Sequence, residues 1–106
     1  MSNPIEILNS FLELPYNWND NNAEPFCVEL IAKCKEILQT LTSPNSFIFP
    51  CANGSVQFEY GNEYKNMSLN IYIDRIEVNY DYYGEVKEFI ENDINKLNEI
   101  IKLFEV

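Results

Sequence analysis

Carboxylates dominate the groups in this chain that could do chemistry. Asp and Glu number 17 against 7 Lys and Arg, histidine is absent, and the formal net charge is −10 over 106 residues. Without histidine, proton transfer near neutral pH would fall to carboxyl groups with displaced pKa values. Glu59 and Glu77 are the pair that strand alternation puts on one sheet face, where two acids could share acid–base work. The same placement describes an ordinary solvated face. Asp20 sits among asparagines but lacks the D-x-D-x-D-G ligand order of a calcium loop. The three cysteines, Cys27, Cys34 and Cys51, are odd in number and show no C-x-x-C spacing, so no structural zinc site is expected. Free thiols suit a reducing cytoplasm. No G-x-S-x-G, H-E-x-x-H, P-loop or dinucleotide fingerprint occurs. These residues predict a protein that is not an enzyme and holds no cofactor or metal.

Binding chemistry is better represented. Gln57, Glu59, Asn70, Tyr72, Glu77 and Asn79 fall on the outward side of the alternating strands. Asp81, Glu85, Glu88 and Glu91 extend an acidic surface beyond them. Tyrosine among acids suits arginine and lysine, through ion pairs and cation–π contacts; the alternative is that the acidity only keeps the protein soluble. So acidic a surface repels duplex DNA and anionic lipid, which argues against direct nucleic-acid or membrane binding.

These groups must be positioned by a single domain, because a chain of this length has apolar residues for one two-layer core. From Ser55 to Tyr82 large apolar and polar residues alternate, the period of half-buried strands. Val56, Phe58 and Tyr60 share one face, as do Leu69, Ile71 and Ile73, and then Ile76, Val78 and Tyr80. Phe47–Phe49 pairs with Ser55–Tyr60 across Asn53-Gly54, a strong hairpin signal. Pro50 assigns the first strand to an edge. Asp74-Arg75 is the expected turn between the last two strands.

Helices must roof the apolar side. Asn3-Pro4-Ile5-Glu6 starts a short helix that buries Ile5, Leu8, Phe11 and Leu12 and stops before Pro15. Residues 15–22 form an asparagine-rich loop with Trp18 as its anchor in the core. A second helix is expected from Asn22, with Pro25 in its first turn and Cys27, Leu30, Ile31, Cys34, Ile37, Leu38 and Leu41 inward. Gly84 is expected to end the sheet. Glu85 to Phe104 then reads as one long helix, with Val86, Phe89, Ile90, Ile94, Leu97, Ile100, Ile101 and Phe104 as its stripe. At about 30 Å it would outrun strands of about 20–23 Å. Ile100, Ile101 and Phe104 would then overhang and offer a self-association surface. The expected fold is α+β: two helices, a four-stranded antiparallel meander and a long C-terminal helix, all helices on one face.

Leu14-Pro15-x-x-Trp18-Asn19, Ala23-x-Pro25 and Phe49-Pro50-x-x-Asn53-Gly54-Ser55-Val56-x-Phe58-Glu59-Tyr60 resemble the motifs of a family of small uncharacterised bacterial and phage proteins. That family pairs a Leu-Pro-x-x-Trp-Asp/Asn-Gly segment with a Pro-x-x-x-Gly-x-Ile-x-Leu-Glu-Trp strand. Asp20 stands where the pattern prefers glycine, and Tyr60 where it prefers tryptophan. The resemblance implies a bacterial, plasmid or phage setting and no activity.

Two functional expectations follow. One is an acidic interaction protein, of the inhibitor, antitoxin-like or anti-defence kind, that binds a basic protein partner. The other is an assembly module that forms a homodimer through its last helix. The N-terminal residues lack a basic segment followed by an apolar run, so no signal peptide is expected.

Overall fold

The computed structural model describes residues 4–18, 25–40, 47–51 and 53–104. Among them three helices and five strands follow in the order α1 (Pro4–Phe11), α2 (Val28–Thr40), β1 (Phe47–Pro50), β2 (Val56–Gly61), β3 (Lys65–Ile71), β4 (Ile76–Tyr82), β5 (Glu85–Ile90) and α3 (Ile94–Lys102). The strands form one antiparallel meander, β1-β2-β3-β4-β5. The class is α+β as expected. The strand count is five rather than four.

Register turns alternation into rows that cross the sheet. Ile48, Phe58, Leu69, Val78 and Phe89 lie side by side on the inner face, and Val56, Ile71 and Ile76 form the next row. Phe58, Leu69 and Val78 are fully buried. They share one core with Leu8, Phe11, Leu30, Ile31, Cys34 and Ile37 of the first two helices and Leu97 and Ile101 of the third. Among the described residues, helices therefore cover one face only. α1 ends at Phe11, ahead of Pro15. Trp18 is half-buried against the core, and its ring meets Phe26 at 5.8 Å, which in turn meets Phe11 at 5.8 Å. Trp18 is thus a loop anchor.

The second helix starts later than expected. It begins at Val28, and Pro25 to Cys27 are irregular. Phe26 is drawn into the core between Phe11 and Trp18, which turns its neighbour Cys27 outward. Cys27 is exposed and only Cys34 is buried. The caps expected at Asn3 and Asn22, and the inward Leu41, lie outside the described residues.

The turn between β3 and β4 is also wider than Asp74-Arg75. Ile71 pairs with Ile76, and the Tyr72 amide donates to the Arg75 carbonyl at 2.9 Å. Ile73 is consequently exposed rather than in the core. From α2, Lys33 Nζ donates to the carbonyls of Tyr72 and Ile73 at 2.5 and 3.1 Å.

The largest correction is at the end of the chain. Gly84 does not end the sheet, and Glu85 to Phe104 is not one helix. Tyr83 and Gly84 have φ of 51° and 93°, the left-handed pair a two-residue hairpin needs. They return the chain onto the free edge of β4, so Glu85–Ile90 is a strand. The apolar residues of Glu-Val-Lys-Glu-Phe-Ile, Val86, Phe89 and Ile90, keep the helical step, and the unpaired backbone of β4 overrides it. Asn92 Oδ1 then accepts from the Ile76 amide at 2.8 Å. Asp93 caps α3 by accepting from the Asn95 amide at 2.9 Å, as N-cap aspartates do.

At nine residues, α3 is only about 14 Å long and does not outrun the sheet. Ile101 and Phe104 are 0% and 1% exposed, and Ile100 is half-buried against the core. Phe104 packs on Tyr80 and Tyr82 at 5.4 and 5.7 Å. The overhang on which self-association through these three residues depended is absent. Their apolar surface is already spent on the chain's own sheet.

A candidate partner-binding face

The face away from the helices is built from the other half of each strand. Three rows cross it. Phe49, Gln57, Asn70, Glu77 and Ile90 form the first; Phe47, Glu59, Ser68, Asn79 and Glu88 the second; and Gly61, Asn66, Asp81 and Val86 the third. The order across each row has a chemical pattern. Exposed apolar side chains stand on the two edge strands: Phe47 and Phe49 on β1, Val86 and Ile90 on β5. Short polar residues, Asn66, Ser68 and Asn70, occupy the middle strand. Acids stand on β2, β4 and β5: Glu59, then Glu77 and Asp81, then Glu88.

Short side chains in the middle and large ones at the rims make a trough. A groove of about 520 Å³ runs over the second and third rows, lined by Phe47, Glu59, Ser68, Asn79, Asp81 and Glu88, with Val86 and Gly61 beside them. Gly61 is required there by its backbone. Its φ is 101°, and a Cβ would fall 2.1 Å from the Lys65 carbonyl oxygen.

The acids of this face are not equivalent. Glu77 is occupied, because Arg75 Nε donates to its Oε2 at 2.6 Å. The guanidinium also donates to Asp74 at 2.8 Å. The carboxylates around Arg75, that of Glu77 foremost through its hydrogen bond, raise the arginine's pKa further above its ordinary value. Glu59 accepts from Gln57 Nε2 at 2.6 Å, and Asp81 accepts from the Gly84 amide at 2.8 Å. Among the described residues, Glu59, Asp81 and Glu88 have no ion-pair partner. Three carboxylates thus face one groove with no paired cation among the described residues.

The surface expected from sequence is partly assembled. Glu59, Asp81 and Glu88 come together in the groove. Tyr72 and Glu77 stand at an adjacent corner, with Arg75 3.8 Å above the Tyr72 ring and Asn53 Nδ2 donating to the Tyr72 hydroxyl at 3.0 Å. Glu85 and Glu91 do not join them. In β5, Glu85 shares the side of Lys87 and Phe89, and its carboxylate lies 3.4 Å from Lys87. Glu91 follows the strand and accepts from the Asp93 amide at 3.1 Å.

Glu59 and Glu77 do share a face, but they stand on strands two apart and in different rows, and Glu77 is held by Arg75. Among the described residues no group of three His, Cys, Asp or Glu could hold a metal ion, and no helix is long and apolar enough to cross a membrane. Asp20 lies outside the described residues.

The rims and the floor are what the sequence reading missed. Phe47, Phe49, Val86, Ile90, Asn66 and Ser68 were not singled out for this face. The signal was present for β1, where Phe47 and Phe49 alternate against Ile48. For Val86, Glu88 and Ile90 it lay in the Tyr-Gly pair just before them. In comparison with known proteins, no family model, curated protein or solved structure matches this chain.

Proposed function

We propose that this is a non-enzymatic binding protein that captures a basic protein partner on its uncovered sheet face. An inhibitory, antitoxin-like or anti-defence role is the setting that such a small acidic binder suits, and the free thiols suit the cytoplasm. The observation that carries the reading is the groove itself. Among the described residues, three carboxylates without an ion-pair partner, Glu59, Asp81 and Glu88, line it beside the apolar Phe47 and Val86.

The physics is that of a complementary interface. Net charge of −10 speeds encounter with a cationic surface and rejects anionic ones. At contact, lysine or arginine would supply the charge that the three acids lack. Phe47, Phe49, Val86 and Ile90 would supply apolar area around them.

The test is capture from the native host with the natural protein and with a Glu59→Gln, Asp81→Asn, Glu88→Gln triple variant, at low and rising salt. A basic protein retained by the first, lost by the second and released by salt supports the proposal. A partner held equally by both proteins, or insensitive to ionic strength, overturns it.

A further inference from the structure

The open face also restricts the shape of what covers it. We infer that the occupant of the groove is an α-helix of the basic partner, lying along the strands over β3, with arginine or lysine at four-residue steps and apolar residues on its two flanks. This rests on the reading of the face as a docking surface for a basic protein.

Three observations argue for a helix. The first is width. Phe47 and Glu88 stand at opposite ends of one row that crosses all five strands, so the rims are about 19 Å apart at ~4.8 Å per strand. A helix with its side chains is about 10–12 Å across, which fits between the rims and leaves room for their side chains.

The second is depth. The middle strand presents only Asn66, Ser68 and Asn70 to this face, and Gly61 beside them has no side chain. Short residues on a centre line let a cylinder sit close while the taller rims grip its sides. The third is hydrogen bonding. A sheet face offers side chains but no backbone ladder. A strand laid on it would leave its own amides without partners, whereas a helix satisfies them internally.

The spacing of the rows agrees. Successive rows are two residues apart along each strand, about 7 Å. A four-residue step along a helix rises about 6 Å. Cations at such steps would meet Glu59 on one side of the axis and Asp81 and Glu88 on the other.

A second copy of this chain is a poor occupant. Two such faces would set the same three acids against each other.

The experiment titrates the full chain, isotope-labelled, with two synthetic peptides of equal charge and length. One is a helix-forming peptide with arginine every four residues and leucine on the flanks. The other carries two central prolines that break the helix. The expected result is at least about tenfold tighter binding of the helical peptide. Amide shifts should centre on Glu59, Ser68, Asn79 and Glu88, and the peptide should gain helicity. Glu59→Gln with Glu88→Gln should weaken the interaction while the protein's thermal midpoint stays within a few degrees.

Equal binding of the broken peptide at the same residues would overturn the helix and leave the basic-partner reading standing. Shifts confined to the β5 edge would overturn the helix in favour of an added strand. No binding by either peptide would sink both proposals.

Discussion

Arg75 holds its guanidinium 3.8 Å above the ring of Tyr72 while its Nε donates to Glu77 at 2.6 Å. This one cation separates the acids of the open face into a satisfied corner and an unsatisfied groove. Replacing it with glutamine should free Glu77 as a fourth carboxylate on the same face. An Arg75→Gln protein should therefore bind a cationic peptide more tightly at low salt, and lose that advantage more steeply as salt rises. Titrations at two ionic strengths check this. Unchanged affinity would mean that Glu77 lies outside the contact.

The two hairpin glycines at the ends of β2 and β4 should differ in tolerance. Gly84 has φ of 93° and open space where a Cβ would stand. Gly84→Ala should therefore cost only the left-handed penalty of roughly 1–2 kcal/mol. Gly61 adds a backbone collision, with the Lys65 oxygen 2.1 Å from the built Cβ. Gly61→Ala should cost roughly 3–5 kcal/mol, from strain and overpacking together. Urea unfolding of the two variants measures the difference, and equal losses would contradict the assigned turn geometry.

The last helix gives a prediction that separates core from interface. Phe104 is buried against Tyr80 and Tyr82, so Phe104→Ala should lose about 3–5 kcal/mol of stability. Its molar mass by light scattering should match that of the parent. A variant that kept its stability but changed its association would restore the self-association surface expected from sequence.

The cysteines should react in order of exposure. Cys27 is exposed, Cys51 half-buried and Cys34 buried. Burial pushes the Cys34 thiol up to about 12, against an ordinary value of 9.0. An alkylating reagent at neutral pH should label Cys27 first and Cys34 only on unfolding.

The same displacement sets a pH dependence. Below pH 9 the Cys34 thiol is protonated in both folded and unfolded chains, and its contribution to stability is complete. Between pH 9 and about 12 the unfolded chain releases the proton and the folded one keeps it. Stability should then fall by about 1.4 kcal/mol per pH unit from this group. Unfolding curves of the parent and of Cys34→Ala across that range isolate the slope. Parallel curves would show that the thiol ionises freely in place.

Much of this architecture was legible in single residues. Alternation from Ser55 to Tyr82 marked the inner face of β2 to β4, and Pro50 marked β1 as an edge. Pro4 and Pro15 bracketed α1, and the spacing of Leu30, Ile31, Cys34 and Ile37 marked the buried stripe of α2. Those signals are local, because a residue's side of a strand or helix follows from the geometry of its own element.

The acidity of the outer face was equally legible, since Glu59, Glu77 and Asp81 inherit their side from the alternation that buries Phe58, Val78 and Leu69. What tertiary structure decided was everything that depended on a partner strand. Val86, Glu88 and Ile90 belong to a sheet because the β4 backbone needed pairing, and a six-residue run with helical apolar spacing cannot state that a neighbouring strand will override it. Register then did what no local pattern could. It set Phe47, Glu59, Ser68, Asn79 and Glu88 in one line from residues up to 41 positions apart, and only that line makes a groove out of five separate strands.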